Sequence, residues 1–335
     1  MTTPLMSLAN LAMPRILAAV VIAFSLVACH QANTPSLGTP KAIFIIVDGI
    51  PADIIEIANT PHIEDLAGDA GYTRSYVGGE IGGPTESPTV SAVGYNSLLT
   101  GTWANKHNVY SNTIEDPNYQ YWDIFRITKQ QDSSLQTALF STWLENRTLL
   151  IGDGLSEAGG YKLDYYFDGF ELDLVRFPHD ESRNYIKNID ELVSNEAASY
   201  VREHGPDLSW VYLEFTDDVG HMFGDGLELA EAVSSMDANI GKIWQAVKSR
   251  QNTHNENWLV VVTTDHGRDV ATGRNHGGQS ARERTTWIAT NSQNLNDHFS
   301  NTPAIVDILP SIMNHLELAI PTEIAAQLDG QSFID

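Results

Sequence analysis

Aspartate and histidine residues follow several apolar segments of this 335-residue chain, in a combination typical of a metal site. Each residue alone is ordinary, because an Asp-Gly pair usually forms a turn and a single histidine is usually a loop residue. Carboxylates gathered in one crevice, however, repel one another unless one or two divalent cations neutralise them. Mixed nitrogen and oxygen ligands favour zinc over calcium or magnesium. The candidate ligands are Asp48, Asp217, His221, Asp265, His266 and His276.

A hydroxyl nucleophile is available in the segment Pro88–Ser91. The residues that follow, up to Gly101, predict a short helix closed by glycine. A hydroxyl at the start of a helix lies at the positive end of the dipole and beside free backbone N–H groups, which together bind phosphate. Two divalent ions about 4 Å apart can assist displacement at phosphorus and deprotonate a coordinated hydroxyl. We therefore expect Ser91 to be a nucleophile, and a role as a plain helix cap is the alternative.

The elements that must position these residues form an alternating pattern. Apolar runs rich in β-branched residues predict four strands, at Ala42–Val47, Trp210–Phe215, Trp258–Thr263 and Thr285–Thr290. One long helix is predicted by apolar residues at spacings of three and four, namely Leu229, Val233, Met236, Ile240, Ile243 and Val247, and another helix begins with Tyr185, Ile189, Leu192 and Val193. This pattern predicts an α/β fold with a mostly parallel central sheet and helices on both faces, with ligands beyond the carboxyl ends of the strands.

Composition limits the classes of protein that remain possible. With 43 acidic and 19 basic residues the formal charge is −24, which repels nucleic-acid phosphates, so no sequence-independent grip on DNA or RNA is expected. The 42% of hydrophobic residues excludes a disordered acidic tail. Residues 41–335 contain no Pro/Gly-rich linker and no run long enough to span a bilayer, so we predict a single domain with inserted loops and exclude a multipass membrane protein.

Residues 1–28 have the pattern of a secretory signal peptide, in which Arg15 precedes an apolar run. The run closes with Leu26–Cys29, which resembles the bacterial lipobox, and Cys29 is the only cysteine in the chain. We expect cleavage before Cys29 and anchoring of the protein to a membrane through a lipid on this residue. Residues 29–40 would form a flexible tether, and the domain would lie in the bacterial cell envelope, facing the periplasm or at the outer membrane. A free cysteine after an ordinary signal is the alternative.

These segments, in this order, resemble the alkaline phosphatase superfamily, and most closely its type I phosphodiesterase/nucleotide pyrophosphatase branch. Val47–Gly49 resembles the segment with the opening metal aspartate, and Pro88–Gly101 resembles the nucleophile helix. In that helix the nucleophile lies ten residues before the closing glycine, a register that selects Ser91 and not Thr89. The resemblance covers almost the whole of the predicted domain.

The resemblance implies an alkaline phosphatase-like fold and a two-zinc site. One zinc would be held by Asp217, His221 and His276, and the other by Asp48, Asp265 and His266 together with Oγ of Ser91. The implied reaction is hydrolysis of a phosphoric ester through a phosphoserine intermediate. His107 matches a structural histidine, and Asn112 matches an asparagine that contacts a phosphoryl oxygen.

Several positions depart from the pattern of the branch. It generally has threonine where Ser91 stands, Pro-Asn where Val93-Gly94 stands, and glycine in place of Asn108. Sulfatases share the scaffold but need Pro and Arg at the positions of Val93 and Tyr95, which makes a sulfatase the least favoured reading. These departures leave the fine specificity open, whereas the reaction class depends on the ligands and the nucleophile.

The sequence leaves two substrate classes open, phosphodiesters and phosphomonoesters, which differ in charge. A phosphodiesterase or nucleotide pyrophosphatase is preferred, with Tyr119, Tyr121 and Trp122 as a candidate aromatic platform for the leaving group of a small phosphate ester or nucleotide. A phosphomonoesterase would need an added Lys or Arg, for which Arg147 is the candidate, although Glu145 lies close to it in the sequence. A surface lipoprotein that binds metal without turnover is the alternative from another class.

Overall fold

A seven-stranded sheet forms the centre of the computed structural model, which describes residues 1–3 and 38–335. The strands lie in the order β2-β7-β6-β1-β5-β3-β4. All neighbouring strands pair in parallel except β7, which is antiparallel to both β6 and β2. The mostly parallel sheet is therefore confirmed. Its strands are β1 (Thr39–Val47), β2 (Tyr72–Tyr76), β3 (Thr137–Ser141), β4 (Tyr165–Phe167), β5 (Leu208–Leu213), β6 (Glu256–Thr263) and β7 (Thr285–Thr290).

Helices cover both faces of this sheet, as predicted. Because successive side chains of a strand point to opposite faces, β1 divides its residues between two cores. Phe44 packs in a core that includes residues of α3, α5 and α11, while Ile45 packs in a core with residues of α2, α6 and α8. The helices are α1 (Ala52–Ile55), α2 (Pro61–Ala67), α3 (Ser91–Thr100), α4 (Ala104–His107), α5 (Ile124–Gln131), α6 (Asn184–His204), α7 (Phe215–Phe223), α8 (Leu227–His254), α9 (Ala281–Arg284), α10 (Asp297–Ser300), α11 (Ile308–His315) and α12 (Thr322–Ala325).

Three shorter helical turns complete the described elements: a π-helical turn at Asn146–Ile151 and 3₁₀ turns at Phe170–Leu172 and Ile305–Asp307. Residues 38–335 lie in one compact unit. No helix in this part of the chain is long and apolar enough to cross a membrane. The predicted signal peptide, Cys29 and most of the predicted tether lie outside the described residues.

The four predicted strands are present, but β1 and β6 begin three and two residues earlier than predicted, and β5 was predicted wrongly at both ends. The predicted strand Trp210–Phe215 is Leu208–Leu213 in the structure, because its register with β1 ends where Leu213 pairs with Val47. Phe215 begins α7 instead. The predicted long helix is α8, and every one of its six predicted apolar residues is buried.

Candidate metal centre and nucleophile

The register of three neighbouring strands brings the candidate ligands to one edge of the sheet. The last residue of β1, Val47, pairs with Leu213 of β5, and Ile46 pairs with Thr263 of β6. The residues that follow these strands therefore emerge side by side. They include Asp48 after β1, Asp217 and His221 in α7 after β5, and Asp265 and His266 after β6.

One cluster of potential ligands centres on Nε2 of His266. Oδ1 of Asp48 lies 3.4 Å from this nitrogen, and Oδ2 of Asp265 lies 3.3 Å from it. Both oxygens are buried and have no hydrogen-bond partner among the described residues. The hydroxyl oxygen of Ser91 lies 3.4 Å from the same nitrogen. Three oxygens and one nitrogen thus converge on a single point.

Hydrogen bonds on the far side of each group aim these atoms into the site. Oδ2 of Asp48 accepts hydrogen bonds from the phenols of Tyr95 and Tyr212, the latter at 2.7 Å. Oδ1 of Asp265 accepts the backbone N–H of Gly49 at 3.1 Å. Nδ1 of His266 lies 2.9 Å from the carbonyl oxygen of the next residue and must carry the proton, because a carbonyl only accepts. The lone pair on Nε2 therefore faces the cluster.

A second cluster joins α7 to the loop that carries His276. Asp217 and His221 lie four residues apart on α7, so their side chains share one face, with Oδ2 of Asp217 3.2 Å from Nε2 of His221. Nε2 of His276 lies 3.1 Å from that nitrogen and 3.9 Å from Oδ1 of Asp217. Nδ1 of His276 donates to the carbonyl oxygen of Thr89 at 2.9 Å, which again leaves Nε2 free to bind.

Thr89, the other hydroxyl near the start of α3, serves a different purpose. Its Oγ1 donates to the carbonyl oxygen of Gly278 at 2.8 Å and accepts the N–H of Gly277 at 2.9 Å. This hydroxyl is fully engaged in holding the loop next to His276. Ser91, by contrast, is the first residue of α3, as predicted, and its hydroxyl faces the cluster around His266.

The buried carboxylates of the candidate metal site repel one another when no cation is bound. Burial, followed by the charges of Asp265 and Asp217, raises the pKa of Asp48 well above its usual range. Burial and the charge of Asp217 raise the pKa of Asp265 to about 7. Burial acts in the same direction on Asp217, but a hydrogen bond with His221 and the charge of Arg268 outweigh it and lower the pKa. A divalent cation would relieve the strain on the first two carboxylates.

The spacing of the donor atoms fits a metal ion in each cluster. Zinc–nitrogen and zinc–oxygen bonds of about 2.0–2.1 Å in a tetrahedron separate neighbouring ligand atoms by roughly 3.3 Å. The distances to Nε2 of His266 are 3.3–3.4 Å, and those to Nε2 of His221 are 3.1–3.2 Å. Two groups of residues can each hold a metal ion, namely Asp217 with His221 and His276, and Asp48 with Asp217 and His266.

A cleft of about 210 Å³ opens above the nucleophile. Asn112 lies in its wall, where Oδ1 accepts the backbone N–H of Ala92 at 3.0 Å. That hydrogen bond leaves the amide NH₂ of Asn112 available for a ligand. The residues that line the cleft are Asp48, Ser91, Asn112, Trp143, Tyr212, Glu214 and Asp217.

The residues that the sequence suggested as substrate contacts do not line this cleft. Tyr119 donates its hydroxyl to the carbonyl oxygen of Leu149 at 2.5 Å. The ring of Trp122 stacks under Arg126, whose guanidinium carbon lies 4.2 Å from the ring centre. Tyr121 borders a separate small cavity beside Asn96. The cleft instead has the aromatic ring of Trp143 in its wall, a residue that the sequence did not single out.

Arg147, the candidate cation for a monoester, is also engaged elsewhere. Its Nε and Nη2 donate to the two carboxylate oxygens of Asp168 at 2.6 and 3.0 Å, and its guanidinium covers the ring of Tyr166. His107 is fully buried, with Nε2 3.1 Å from Oγ of Ser97. Burial lowers the pKa of His107 to about 3, so its ring is neutral, in keeping with a structural role.

Three residues that support the ligands were missed at the sequence level: Tyr95, Tyr212 and Arg268. Tyr212 lies within the apolar run of β5, and Tyr95 lies inside α3, so both match ordinary core positions. Arg268 follows His266 in a polar loop, where an arginine is usually exposed. The structure instead buries it completely against Asp217.

The sheet order, the acidic residues at the strand ends and the serine at a helix start together define an alkaline phosphatase-like fold. The family model described as type I phosphodiesterase/nucleotide pyrophosphatase matches residues 42–311. The chain belongs to this family.

Individual relatives are distant. The chain is 22% identical over 258 residues to human bis(5′-adenosyl)-triphosphatase ENPP4, a match that covers 74% of this chain and 52% of the relative. It is 24% identical over 189 residues to venom phosphodiesterase 2 of Crotalus adamanteus, which covers 54% of this chain and 21% of the relative. The chain thus spans about half the length of the triphosphatase relative.

A solved structure supports the fold. The phosphonate monoester hydrolase of Agrobacterium radiobacter superposes with a TM-score of 0.59 at 13% identity, over 88% of this chain and 76% of that chain. At this identity the similarity concerns the fold alone.

Proposed function

We propose that this protein is a two-zinc phosphodiesterase or nucleotide pyrophosphatase that acts through a phosphoserine intermediate. One observation carries the proposal. The hydroxyl of Ser91 and two carboxylate oxygens converge on Nε2 of His266 at the foot of an open cleft, and neither carboxylate oxygen has a hydrogen-bond partner within the described part of the chain. A hydroxyl in such a position faces both the candidate ligands and the cleft. Membership of the phosphodiesterase family supports the same chemistry.

The metal ligands follow from the two clusters. Asp217, His221 and His276 would hold one ion, and Asp48, Asp265, His266 and Oγ of Ser91 would hold the other. Two zinc ions bound there would supply positive charge for the attacking and leaving oxygens and would lower the pKa of a bound hydroxyl. The hydrogen bonds behind the ligands support this arrangement. Tyr95 and Tyr212 bind Asp48, Gly49 binds Asp265 and Thr89 binds His276, and each contact leaves another atom of the ligand free for the metal.

The chain's own residues perform the transfer in two steps. In the first, the Ser91 hydroxyl loses its proton to solvent, Oγ attacks phosphorus, the P–Oγ bond forms, and the bond to the leaving group breaks; a leaving alcohol takes up a proton from solvent. In the second, water attacks the phosphoserine, the P–Oγ bond breaks, and the product phosphate ester departs with the serine hydroxyl restored. The amide NH₂ of Asn112 would donate to a phosphoryl oxygen during both steps, a contribution of about 2.7–4 kcal/mol for a donor of this kind.

The charges around the cleft favour a diester over a monoester. Among the described residues that line the cleft there is no Lys or Arg. Two arginines that contact residues of the cleft wall are paired with carboxylates there, Arg268 with Asp217 and Arg183 with Glu214 at 2.9 Å. A doubly charged monoester phosphoryl group would therefore meet less compensation than the single charge of a diester. Phosphomonoesterase activity remains the second candidate, on the same scaffold.

A nucleotide is the proposed substrate class, on the strength of the relatives. Their names describe a bis(5′-adenosyl)-triphosphatase and venom phosphodiesterases. The ring of Trp143 in the cleft wall offers an apolar surface for a base or another flat leaving group. Hydrolysis of bis(5′-adenosyl) triphosphate should therefore be faster, per unit of enzyme, than hydrolysis of a bis-nitrophenyl phosphate.

The deciding experiment combines zinc analysis with hydrolysis of a chromogenic diester and monoester. Wild-type protein should contain two zinc ions and favour the diester. Ser91→Ala should lose at least 10³-fold in kcat and keep its zinc, whereas Ser91→Thr should retain activity because the hydroxyl remains. Ser134→Ala, at an exposed position, is the matched control. Turnover by Ser91→Ala at the wild-type rate would reject the nucleophile, and zinc without turnover in the wild type would favour the metal-binding lipoprotein.

We also propose that the domain is tethered to the cell envelope through Cys29. The support is the sequence pattern of residues 1–29 alone. In a bacterial host that processes lipoproteins, the wild-type chain should incorporate labelled palmitate and fractionate with membranes. Cys29→Ser should do neither, and unchanged membrane association of that variant would contradict the lipid anchor.

A further inference from the structure

We propose that Arg268 is a positioning residue that fixes Asp217 as a one-oxygen ligand and thereby sets the affinity of the metal site formed by Asp217, His221 and His276. This inference rests on the two-metal function proposed above. It concerns a residue with no place in the reaction itself, because the guanidinium is buried behind Asp217 and does not line the cleft.

The guanidinium of Arg268 is completely buried and paired with four acceptors. Nη2 donates to Oδ1 and to the backbone oxygen of Asp217, the latter at 2.8 Å. Nε donates to the carbonyl oxygen of Gly49 at 2.9 Å, and Nη1 to that of Arg274 at 3.3 Å. A buried cation is costly unless it is paired in this way. These contacts connect Arg268 to the other segments that supply aspartate or histidine ligands.

The segments that Arg268 connects are ones that carry candidate metal ligands. Gly49 follows Asp48 directly, and Arg274 precedes His276 by two residues. Arg268 itself follows His266 by two residues. One side chain thus fixes the relative positions of four ligand-bearing segments before any metal binds.

Two glycines leave the space that the guanidinium fills. A Cβ at Gly220, which lies between Asp217 and His221 on α7, would overlap the guanidinium. A Cβ at Gly49 would lie 2.7 Å from Nη2 of Arg268, and the backbone there has φ +67°, which glycine adopts most readily. A side chain at either glycine would therefore collide with the guanidinium in its present position.

The two oxygens of Asp217 therefore have different surroundings. Oδ1 accepts from Arg268 and lies 3.9 Å from Nε2 of His276, while Oδ2 lies closer to the metal site, 3.2 Å from Nε2 of His221. Without the arginine the carboxylate would be free to rotate away from the two histidines. Loss of such a supporting contact typically lowers metal affinity by 10–100-fold.

Charge and positioning make opposite predictions, which two substitutions separate. Arg268→Met removes the charge as well as the contacts, so repulsion alone predicts tighter zinc binding by this variant. Arg268→Lys keeps the charge but loses the planar fork that binds Asp217 and Gly49 together. Positioning predicts that both variants lose affinity at one site, whereas a pure charge effect predicts tighter binding by Met and no change for Lys.

The experiment measures stepwise zinc affinity by competition with a chromophoric chelator. Wild-type protein should bind two ions, and both Arg268 variants should keep one tight ion and bind the other 10–100-fold more weakly. Adding Arg268→Met to a His221→Ala background should cause little further loss, because both changes affect the same site. Arg147→Met is the matched control, because Arg147 also binds a carboxylate, that of Asp168, but lies outside the cleft.

Folding of each variant is checked by circular dichroism and by thermal unfolding of the metal-free protein. If the Arg268 variants fail to fold, Gly220→Ala decides, because it keeps the charge and takes only the space of the guanidinium; it should show the same loss at one site. Wild-type zinc affinity in the folded variants would overturn the role of Arg268 and leave the two-metal function intact. Absence of zinc binding by the wild type would instead overturn the function itself.

Discussion

Asp265→Asn should stabilise the metal-free protein at pH 8 while destroying its metal site. Asp265 is fully buried, and burial together with the charge of Asp217 raises its pKa to about 7, against 3.8 in the absence of such effects. At about 1.4 kcal/mol per pKa unit, holding this group ionised at pH 8 costs on the order of 4 kcal/mol. An amide in the same place carries no such penalty.

The geometry suits an asparagine at this position. Its Oδ1 would still accept the N–H of Gly49, which lies 3.1 Å from the oxygen of Asp265. Its amide NH₂ would replace Oδ2, which lies 3.3 Å from Nε2 of His266, an atom with a free lone pair. The substituted amide would therefore gain a hydrogen bond where the carboxylate has none among the described residues. Zinc would lose an anionic ligand.

The direction of the pH dependence follows from proton linkage. Because the folded protein holds the proton of Asp265 more tightly than the unfolded chain does, the free energy of unfolding of metal-free protein should fall as pH rises from about 4 to about 7. Asp265→Asn should flatten this decline. Zinc should restore stability to the wild type at pH 8 and do much less for the variant.

The assay is urea unfolding in EDTA and in zinc, from pH 4.5 to 8.5. Asp69→Asn is the control, because Asp69 is exposed and makes no side-chain hydrogen bond within the described chain. A metal-free wild type whose stability is constant from pH 5 to 8 would refute the reasoning. So would a variant that is less stable than the wild type at pH 8 in EDTA.

Substitutions at three further positions test other parts of the structure. Asn112→Ala should lower kcat on a chromogenic diester by roughly 10²–10³-fold, and Asn112→Asp by more, because it adds a negative charge beside the phosphoryl group; equal losses would argue against a direct contact. Tyr212→Phe removes one of two donors to Asp48 and should weaken zinc binding about tenfold in chelator competition, and unchanged affinity would contradict this. Lys162→Met leaves Asp123 buried without its partner and should lower the free energy of unfolding by about 3–5 kcal/mol in urea with zinc content unchanged, so a small loss would show that water compensates.

The elements that the sequence predicted are largely buried, but burial alone was not sufficient, because β3 is buried at all five residues and was not predicted. β1 and β6 are hydrophobic along most of their length because the parallel sheet is covered on both faces, and α8 shows the spacing of a helix against one core. β4 has only three residues, and β2 has a single buried residue, so neither forms an apolar run. The direction of β7 was not predictable either, since a strand reads the same in parallel and antiparallel pairing.

The candidate ligands were predictable because parallel strands align their ends, whereas the residues that hold them were not. The register of β1 with β5 and β6 places Asp48 beside the following segments, and this follows from topology. Whether an arginine such as Arg268 turns inward depends on cavities that form only when several loops meet. Asn108 also departs from the family pattern, which has glycine at this position. Its backbone has φ +62°, a conformation that asparagine tolerates.

One departure from the family pattern within α3, Gly94, is explained by the packing of this helix against Asp265. A Cβ at Gly94 would lie 2.8 Å from the backbone oxygen of Asp265 and 2.9 Å from its Cβ, so only glycine permits this close approach. The next residue, Tyr95, is thereby brought near enough for its hydroxyl to reach Oδ2 of Asp48. In this chain Gly94 thus helps to position α3, and Tyr95 helps to position the candidate metal ligand Asp48. The same helix carries Ser91 at its first position, so substituting Gly94 should displace the nucleophile and the aspartates together.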